Sequence, residues 1–306
     1  MEWFFTADYI FWTANEDTLE FAVASAAIGN QGDPSATVGQ TKVYHTGDKW
    51  NSGFKVGLGT VTCHDGWDVD AQYTWYNSKS SKNTGFSSTP GLFDMYWIIN
   101  GAELGGLGKG LASFNQAKSK WHLKMNVIDL DLGRNFYVSQ RLMLRPFCGL
   151  KGTWQTQTMD VELINTTVVL DTYNKSRVWG IGARGGLDTS WHFTKCFSIL
   201  GDLAFSGLFE RFKVTRVDTE NNTGVFSSKI NLVEKLHLMN PVIEWSLGLK
   251  WETGISCDQY HFSVSAAWEQ QYWFEQNKFL KIIASGGGAG GNLDLAGLTV
   301  DFRFDF

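Results

Sequence analysis

Ten segments of this chain alternate apolar and polar residues over at least eight positions, near residues 3–14, 53–61, 67–76, 121–137, 142–157, 177–193, 197–212, 238–252, 260–273 and 292–306. A period of two puts one apolar and one polar face on each segment, the pattern of a strand in a sheet with unlike sides. In Pro241 to Glu252, Ile243, Trp245, Leu247, Leu249 and Trp251 oppose Glu244, Ser246, Lys250 and Glu252. No amphipathic helix separates the segments. A doubly wound α/β fold is therefore excluded, and one all-β domain over residues 1–306 is expected.

The connections decide which all-β fold. They alternate between long (about 15–52, 77–120, 158–176, 213–237 and 274–291) and short (about 62–66, 138–141, 194–196 and 253–259). Transmembrane barrels sort their connections in this way, with short periplasmic turns and long outer loops. The expectation is an antiparallel up-and-down transmembrane β-barrel of about ten strands. Twelve is the alternative, if Leu19–Ser25 and Lys42–His45 add a pair. Mean hydropathy is only -0.18, as it should be when half of each strand faces a polar lumen. No apolar run approaches the roughly 18 residues of a spanning helix. The net charge of -5 argues against a nucleic-acid partner. Trp3, Trp67, Trp191 and Trp251 fall at short-turn ends, and Trp12, Trp50, Trp75, Trp121, Trp154, Trp179 and Trp273 near long-loop ends, suggesting two aromatic girdles.

Residues 298–306 read LTVDFRFDF, with Leu298, Val300, Phe302, Phe304 and Phe306 on one face. Such an edge invites aggregation unless lipid or protein covers it. It resembles the closing strand of bacterial outer-membrane barrels, in which alternate apolar residues ending on an aromatic are read by the barrel-assembly machinery. Phe302, Phe304 and Phe306 are the expected assembly signal. Glu2 and Trp3 already read as strand, so an exported chain would be shown here in mature form with Met1 added or renumbered. The expected location is the outer membrane, in contact with its lipid and lipopolysaccharide.

Trp121 to Trp154 (WHLKMNVIDLDLGRNFYVSQRLMLRPFCGLKGTW) resembles the central hairpin of the major outer membrane protein family of Legionella and Chlamydia-related bacteria. Gly180 to Lys213 is similar to that family's next hairpin, and His64 to Tyr76 (HDGWDVDAQYTWY) to its second and third strands. The resemblance implies a porin-type barrel for passive diffusion of ions and small solutes, with no catalytic residues and no cofactor. The alternative is a surface adhesin or structural barrel crosslinked into the envelope.

Parity assigns a lumen face. Asp8, Asp70, Asp188, Asp202, Glu210, Glu244, Glu269 and Asp301 are its acids, and Lys55, Arg145, Lys151, Arg184, Lys250 and Arg303 its bases. The fourth strand is left out because its phase slips near Val127 and Ile128, which suggests a bulge. Ten strands tilted about 40° give a radius of roughly 10 Å, and inward side chains leave a bore of a few Å. The reading is a charged channel with weak cation preference rather than a plug. Cys63, Cys196 and Cys257 fall in short turns, and Cys148 near the short-turn end of its strand. Neighbouring short turns lie two strands apart, beyond the roughly 7 Å reach of a relaxed disulfide. Only Cys257 and Cys196 are near candidates for an internal bond. Bonds to other copies or to periplasmic cysteine-rich proteins, or free thiols, are the other readings. His261 and Ser263 form an H-x-S pair with no evident orienting acid. Neither His122 nor His192 sits in a metal-site spacing, so no enzyme is expected. Segments 91–114 and 18–29 are apolar for outer loops and read as a constriction, a cap or a contact surface.

Overall fold

The computed structural model describes residues 2–24, 42–62, 66–86, 93–95, 114–165, 168–222, 225–255, 260–280 and 290–306. Ten strands make one antiparallel sheet. They are β1 (Glu2–Glu16), β2 (Lys49–Val61), β3 (Trp67–Asn83), β4 (Gln116–Arg134), β5 (Leu142–Ile164), β6 (Val168–His192), β7 (Phe197–Asn222), β8 (Val225–Ile255), β9 (Tyr260–Asn277) and β10 (Gly291–Asp305). Each strand pairs with its neighbours in the chain, and β10 pairs with β1, so the sheet closes on itself. All ten alternating segments are barrel strands.

The ladders fix the barrel's dimensions. Paired residues followed once round from Phe4 run through Gly59, Asp70, Asp131, Gly149, Arg184, Ser206, Val242, Trp273 and Leu293 to Glu16. The path returns twelve residues further along β1. For ten strands that stagger sets a tilt of about 42° and a radius of about 10 Å.

The outer face carries a band of exposed apolar side chains. At one edge stand Trp3, Trp67, Trp191 and Trp251, and at the other Trp50, Trp154 and Trp179, with Leu58, Leu130, Leu150, Ile181, Leu203 and Leu247 between. A surface of this kind is stable only against lipid. Among the described residues no helix is long and apolar enough to cross a membrane. Three of the tryptophans assigned to girdles are elsewhere. Trp12, Trp121 and Trp273 are at most 1% exposed, because each shares the parity of its strand's inward face.

Two other expectations change. Segments 158–176 and 213–237 are not loops. The β5–β6 ladder continues to Ile164 and Val169, and the β7–β8 ladder to Asn222 and Val225. The alternation weakens there because the outward face leaves the lipid and turns polar. At 31 residues, β8 spans roughly 70 Å along the axis at this tilt, far beyond the ~25 Å apolar band. Nor is there a bulge near Val127, since the β4 registers with β3 and β5 run unbroken through it. The phase slip is a change of lining on one inward face, from Trp121, Leu123, Met125 and Val127 to Asp129 and Asp131.

Glu20–Ala24 and Lys42–His45 do form strands. They pair with each other and with Phe93–Met95 in a separate three-stranded sheet, so the barrel has ten strands and not twelve. Phe136–Tyr137 adds a short rung against β5 at the opposite end.

Candidate functional site

The barrel interior has two levels. On the short-turn side is an open cavity of about 620 Å³. Asp8, Asp68, Asp70, Asp129, Asp131, Asp188, Asp202, Glu244, Glu252, Glu269, Asp301 and Asp305 line it, against only Lys55, Lys151, Lys250, Arg145, Arg184 and Arg303. Twelve acids face six bases, so this vestibule is more acidic than the eight-to-six balance expected. Sequence reasoning missed Asp129 and Asp131 by omitting β4, and it left out Asp68, Glu252 and Asp305. Asp68, Glu252 and Asp305 share the parity of lumen residues on their strands, a signal that was there to be read.

Cations organise the wall as hubs. The Arg145 guanidinium donates to Asp70 and Asp188, each at 2.7 Å, and to Asp68. Arg184 donates to Glu244 at 3.2 Å and to Asp131. Lys151 bridges Asp129 and Glu244, both at 2.9 Å, and Lys55 meets Glu269 at 2.7 Å. Lys250 pairs with Glu252 at 2.9 Å and Arg303 with Asp305 at 2.8 Å. These hubs do not compensate every carboxylate. Asp8 is directly opposite Asp301, Asp70 opposite Asp131, and Asp188 opposite Asp202. Like charges on opposed residues destabilise a sheet. Arg145 and Arg184 reach both members of the second pair. In the other two pairs Asp8, Asp202 and Asp301 make no ion pair with Lys or Arg among the described residues. Their contacts are Gln72 to Asp8 at 3.3 Å, Ser246 to Asp202 at 2.6 Å and Ser265 to Asp301 at 3.5 Å.

Above the vestibule an apolar cluster spans much of the bore, with side chains from β1, β3, β4, β5, β7, β8, β9 and β10. It joins Ile10, Trp12, Tyr76, Trp121, Leu123, Met125, Trp273 and Leu295 to Leu19, Phe21, Phe114 and Phe279 from beyond the barrel strands. Each large side chain so buried contributes about 1.5–3 kcal/mol. Lys55 Nζ lies 5.1 Å from the Trp12 ring and Lys151 Nζ 5.6 Å from that of Trp273, so cation–π contacts mark the boundary between the levels. Of the two apolar outer segments, Leu19, Phe21, Ala22 and Phe114 enter this cluster, whereas 25–29, 91–92 and 96–113 lie outside the described residues.

A polar stripe climbs beside the cluster on β5 and β6, where Asn174 and Thr172 are directly opposite its Met159 and Val161. Gln155, Gln157, Thr172, Asn174 and Ser176 are each at most 2% exposed. Gln157 is directly opposite Ser176, and Thr172 and Asn174 follow on the same face of β6. Both side-chain polar atoms of Gln157 and of Asn174, the hydroxyls of Thr172 and Ser176 and Gln155 Oε1 have no partner among the described residues. Gln155 Nε2 donates to Thr153, 3.2 Å away, and Thr153 lies two residues from Lys151. The stripe thus begins at the vestibule ceiling. Glu210, expected among the lumen charges, sits beside its lower end, opposite Gly180, and is fully buried. Its carboxylate accepts hydrogen bonds from Asn240 at 2.7 Å and Gln276 at 2.8 Å. The other thirteen residues expected in the lumen line the vestibule.

His261 Nδ1 meets the Asp305 carboxylate at 3.0 Å, an orienting acid the sequence did not reveal. The Ser263 hydroxyl has no partner among the described residues, so no hydrogen bond joins a nucleophile to a base. His192 meets Glu252 and His122 meets Asn77. Cys196, in a short turn, and Cys148, on the outer face of β5, are exposed free thiols. Cys63 and Cys257 lie outside the described residues.

Among solved structures, the chain is similar to the outer membrane protease OmpT of Escherichia coli, at 9% identity and a TM-score of 0.46 over 100% of this chain and 96% of that one. A major outer membrane protein of Thermus thermophilus matches at 12% identity and a TM-score of 0.32, covering 98% and 99%. The toluene transporter TodX of Pseudomonas putida matches at 7% and 0.30, covering 99% and 89%. Among curated proteins none matches. The family described as Legionella pneumophila major outer membrane protein precursor matches residues 1–306. Matched over that whole span and closed into a ten-stranded barrel with a lipid-facing band, this chain belongs to the Legionella major outer membrane protein family and is an outer-membrane protein.

Proposed function

We propose that this barrel is a porin-type conduit for small cations and small polar solutes. The carrying observation is the stripe of buried polar side chains from Gln155 to Thr172, most of whose polar atoms have no partner among the described residues, continuous with the acidic vestibule. Buried polar atoms without protein partners are costly unless water satisfies them. A file of water along the stripe leads from the vestibule up to Thr172, alongside Met159 and Val161 of the apolar cluster. The acidic excess favours cations, as do Asp8, Asp202 and Asp301, which make no ion pair with Lys or Arg among the described residues. Phe302 and Phe304 on β10, with Phe306 directly after it, serve as the assembly signal in this reading.

A second reading, a closed structural barrel, is favoured by the apolar cluster itself. Planar-bilayer recording separates the two. In the conduit reading the refolded protein conducts, and Gln157→Leu with Asn174→Leu, which makes the stripe apolar, abolishes most of the current. Silence from the unmodified protein, or current indifferent to that double substitution, would sink the conduit reading.

A further inference from the structure

We propose that Arg177, Arg211, Lys213 and Lys235 form a binding site for the phosphorylated headgroup of an outer-leaflet glycolipid of the lipopolysaccharide type. The four line an open surface groove of about 340 Å³ with Trp179. Arg177 is directly opposite Lys213, and Lys213 directly opposite Lys235, so three cations stand abreast on β6, β7 and β8. Neighbouring strands are about 4.8 Å apart, so the row is roughly 10 Å wide. None of the four makes an ion pair or side-chain hydrogen bond with a described residue. Like charges so opposed are unfavourable unless an anion lies across them.

Depth on the barrel chooses the anion. One row toward the membrane are Trp154, Trp179, Arg211 and His237, and one row further Gly152, Ile181, Phe209 and Met239. Within three rows the outer face passes from apolar to aromatic and basic, then to basic. On the row beyond, Thr158, Lys175, Thr215 and Val233 include no acid. The cations therefore sit at headgroup level, beside the girdle that marks the interface. They stand on the long-loop side, which faces the outer leaflet. A phosphate held there accepts charge-assisted hydrogen bonds from two arginines and two lysines while its acyl chains lie along Ile181, Phe209 and Met239.

The test uses refolded full chain in detergent, checked for the barrel by heat-modifiable migration. Native mass spectrometry measures its affinity for diphosphorylated lipid A and for the same lipid with its phosphates removed. The variant Arg177→Gln, Lys213→Gln, Lys235→Gln should lose at least about tenfold in affinity for the phosphorylated lipid and nothing for the dephosphorylated one. A control variant, Lys42→Gln, Lys49→Gln, Lys82→Gln, loses the same charge elsewhere and should bind as the unmodified protein does. Without lipid, the first variant should resist urea at least as well as the unmodified protein, because like charges have been removed. Equal binding by that variant, or equal loss in the control, overturns the proposal. Displacement of the lipid by inorganic phosphate would also overturn it, since the groove would then be a general anion site.

Discussion

Neutralising Asp202 and Asp301 together should make the barrel more stable and less attractive to cations. Each carboxylate is directly opposite another, Asp188 and Asp8 respectively, and directly opposed side chains are about 5 Å apart. Two unit charges at that separation repel by about 0.8 kcal/mol with water-like screening and about 3 kcal/mol at an effective dielectric of 20. Relief of both repulsions is therefore worth up to about 2–6 kcal/mol, less the attraction of Asp202 to Lys55 and Arg145. Asp202→Asn keeps an oxygen for the Ser246 hydroxyl, which donates at 2.6 Å, and loses about 1 kcal/mol of charge assistance. Asp301→Asn gives up only the 3.5 Å contact to Ser265. The net gain should appear as a higher urea midpoint for the double variant refolded in lipid vesicles, followed by tryptophan fluorescence. The same variant should show a reversal potential shifted toward anions in a salt gradient, because each carboxylate lowers a cation's energy by about 0.7 kcal/mol at 6 Å. A midpoint equal to or below that of the unmodified protein would refute the reasoning. The opposed aspartates would then be held by a shared proton or a bound cation, and the repulsion argued here would not exist.

Trp12→Ala should cost about 3–5 kcal/mol of stability by emptying the apolar cluster and should raise single-channel conductance; unchanged conductance would show that the indole does not border the path. Gly149→Val places a side chain against the Asp131 carboxylate and the Leu130 carbonyl, which disrupts the Arg184 hub, so heat-modifiable migration should be lost. Cys196 should react with an impermeant maleimide only after the outer membrane is opened, whereas Cys148, on the apolar outer face, should stay unlabelled in vesicles; labelling of Cys196 on intact cells would invert the topology. Beyond the membrane band, burial raises Asp160 and Asp171 above the ordinary carboxylate value, with Glu162 adding to both and Asp160 to Asp171. A raised folded-state value means that protonation favours the folded hairpin, so its contribution is present below the ordinary value and fades as pH rises through the raised one. Amide protection over residues 158–175, corrected for intrinsic exchange, should rise on acidification, and Asp171→Asn should flatten that response.

The ten strands were legible because lipid and lumen impose opposite polarity on successive residues, a contrast that survives in single segments such as Pro241 to Glu252. Legibility failed wherever one of those two environments changed. In β4 the inward face turns from Trp121, Leu123, Met125 and Val127 to Asp129 and Asp131 without any break in register, and polarity alone reads this as a slipped phase. In 158–176 and 213–237 the outward face leaves the lipid, so the strands look like loops although their ladders continue. The tryptophans misled for a related reason. Trp12 shares its parity with Asp8 and therefore points inward, which position along the strand could not reveal. The opposed aspartates were beyond reach altogether, since each pair depends on the register between two strands and the sequence states only parity within one. The polar stripe had the same limitation, being recognisable only when β5 and β6 are laid side by side.

The joint between β1 and β10 is built like any other in the barrel. Trp3 and Phe306 exchange backbone hydrogen bonds of 3.0 and 2.8 Å, and the ladder runs from Phe4 and Asp305 to Glu16 and Leu293. A circular permutant that splices Phe306 to Glu2 through a turn of five or so residues, and cuts the chain within 281–289, would keep every rung of the cylinder. The finished cylinder is thus indifferent to where its polypeptide starts. If such a permutant inserts poorly in cells yet refolds normally from urea, the order of strands serves biogenesis rather than the architecture it produces.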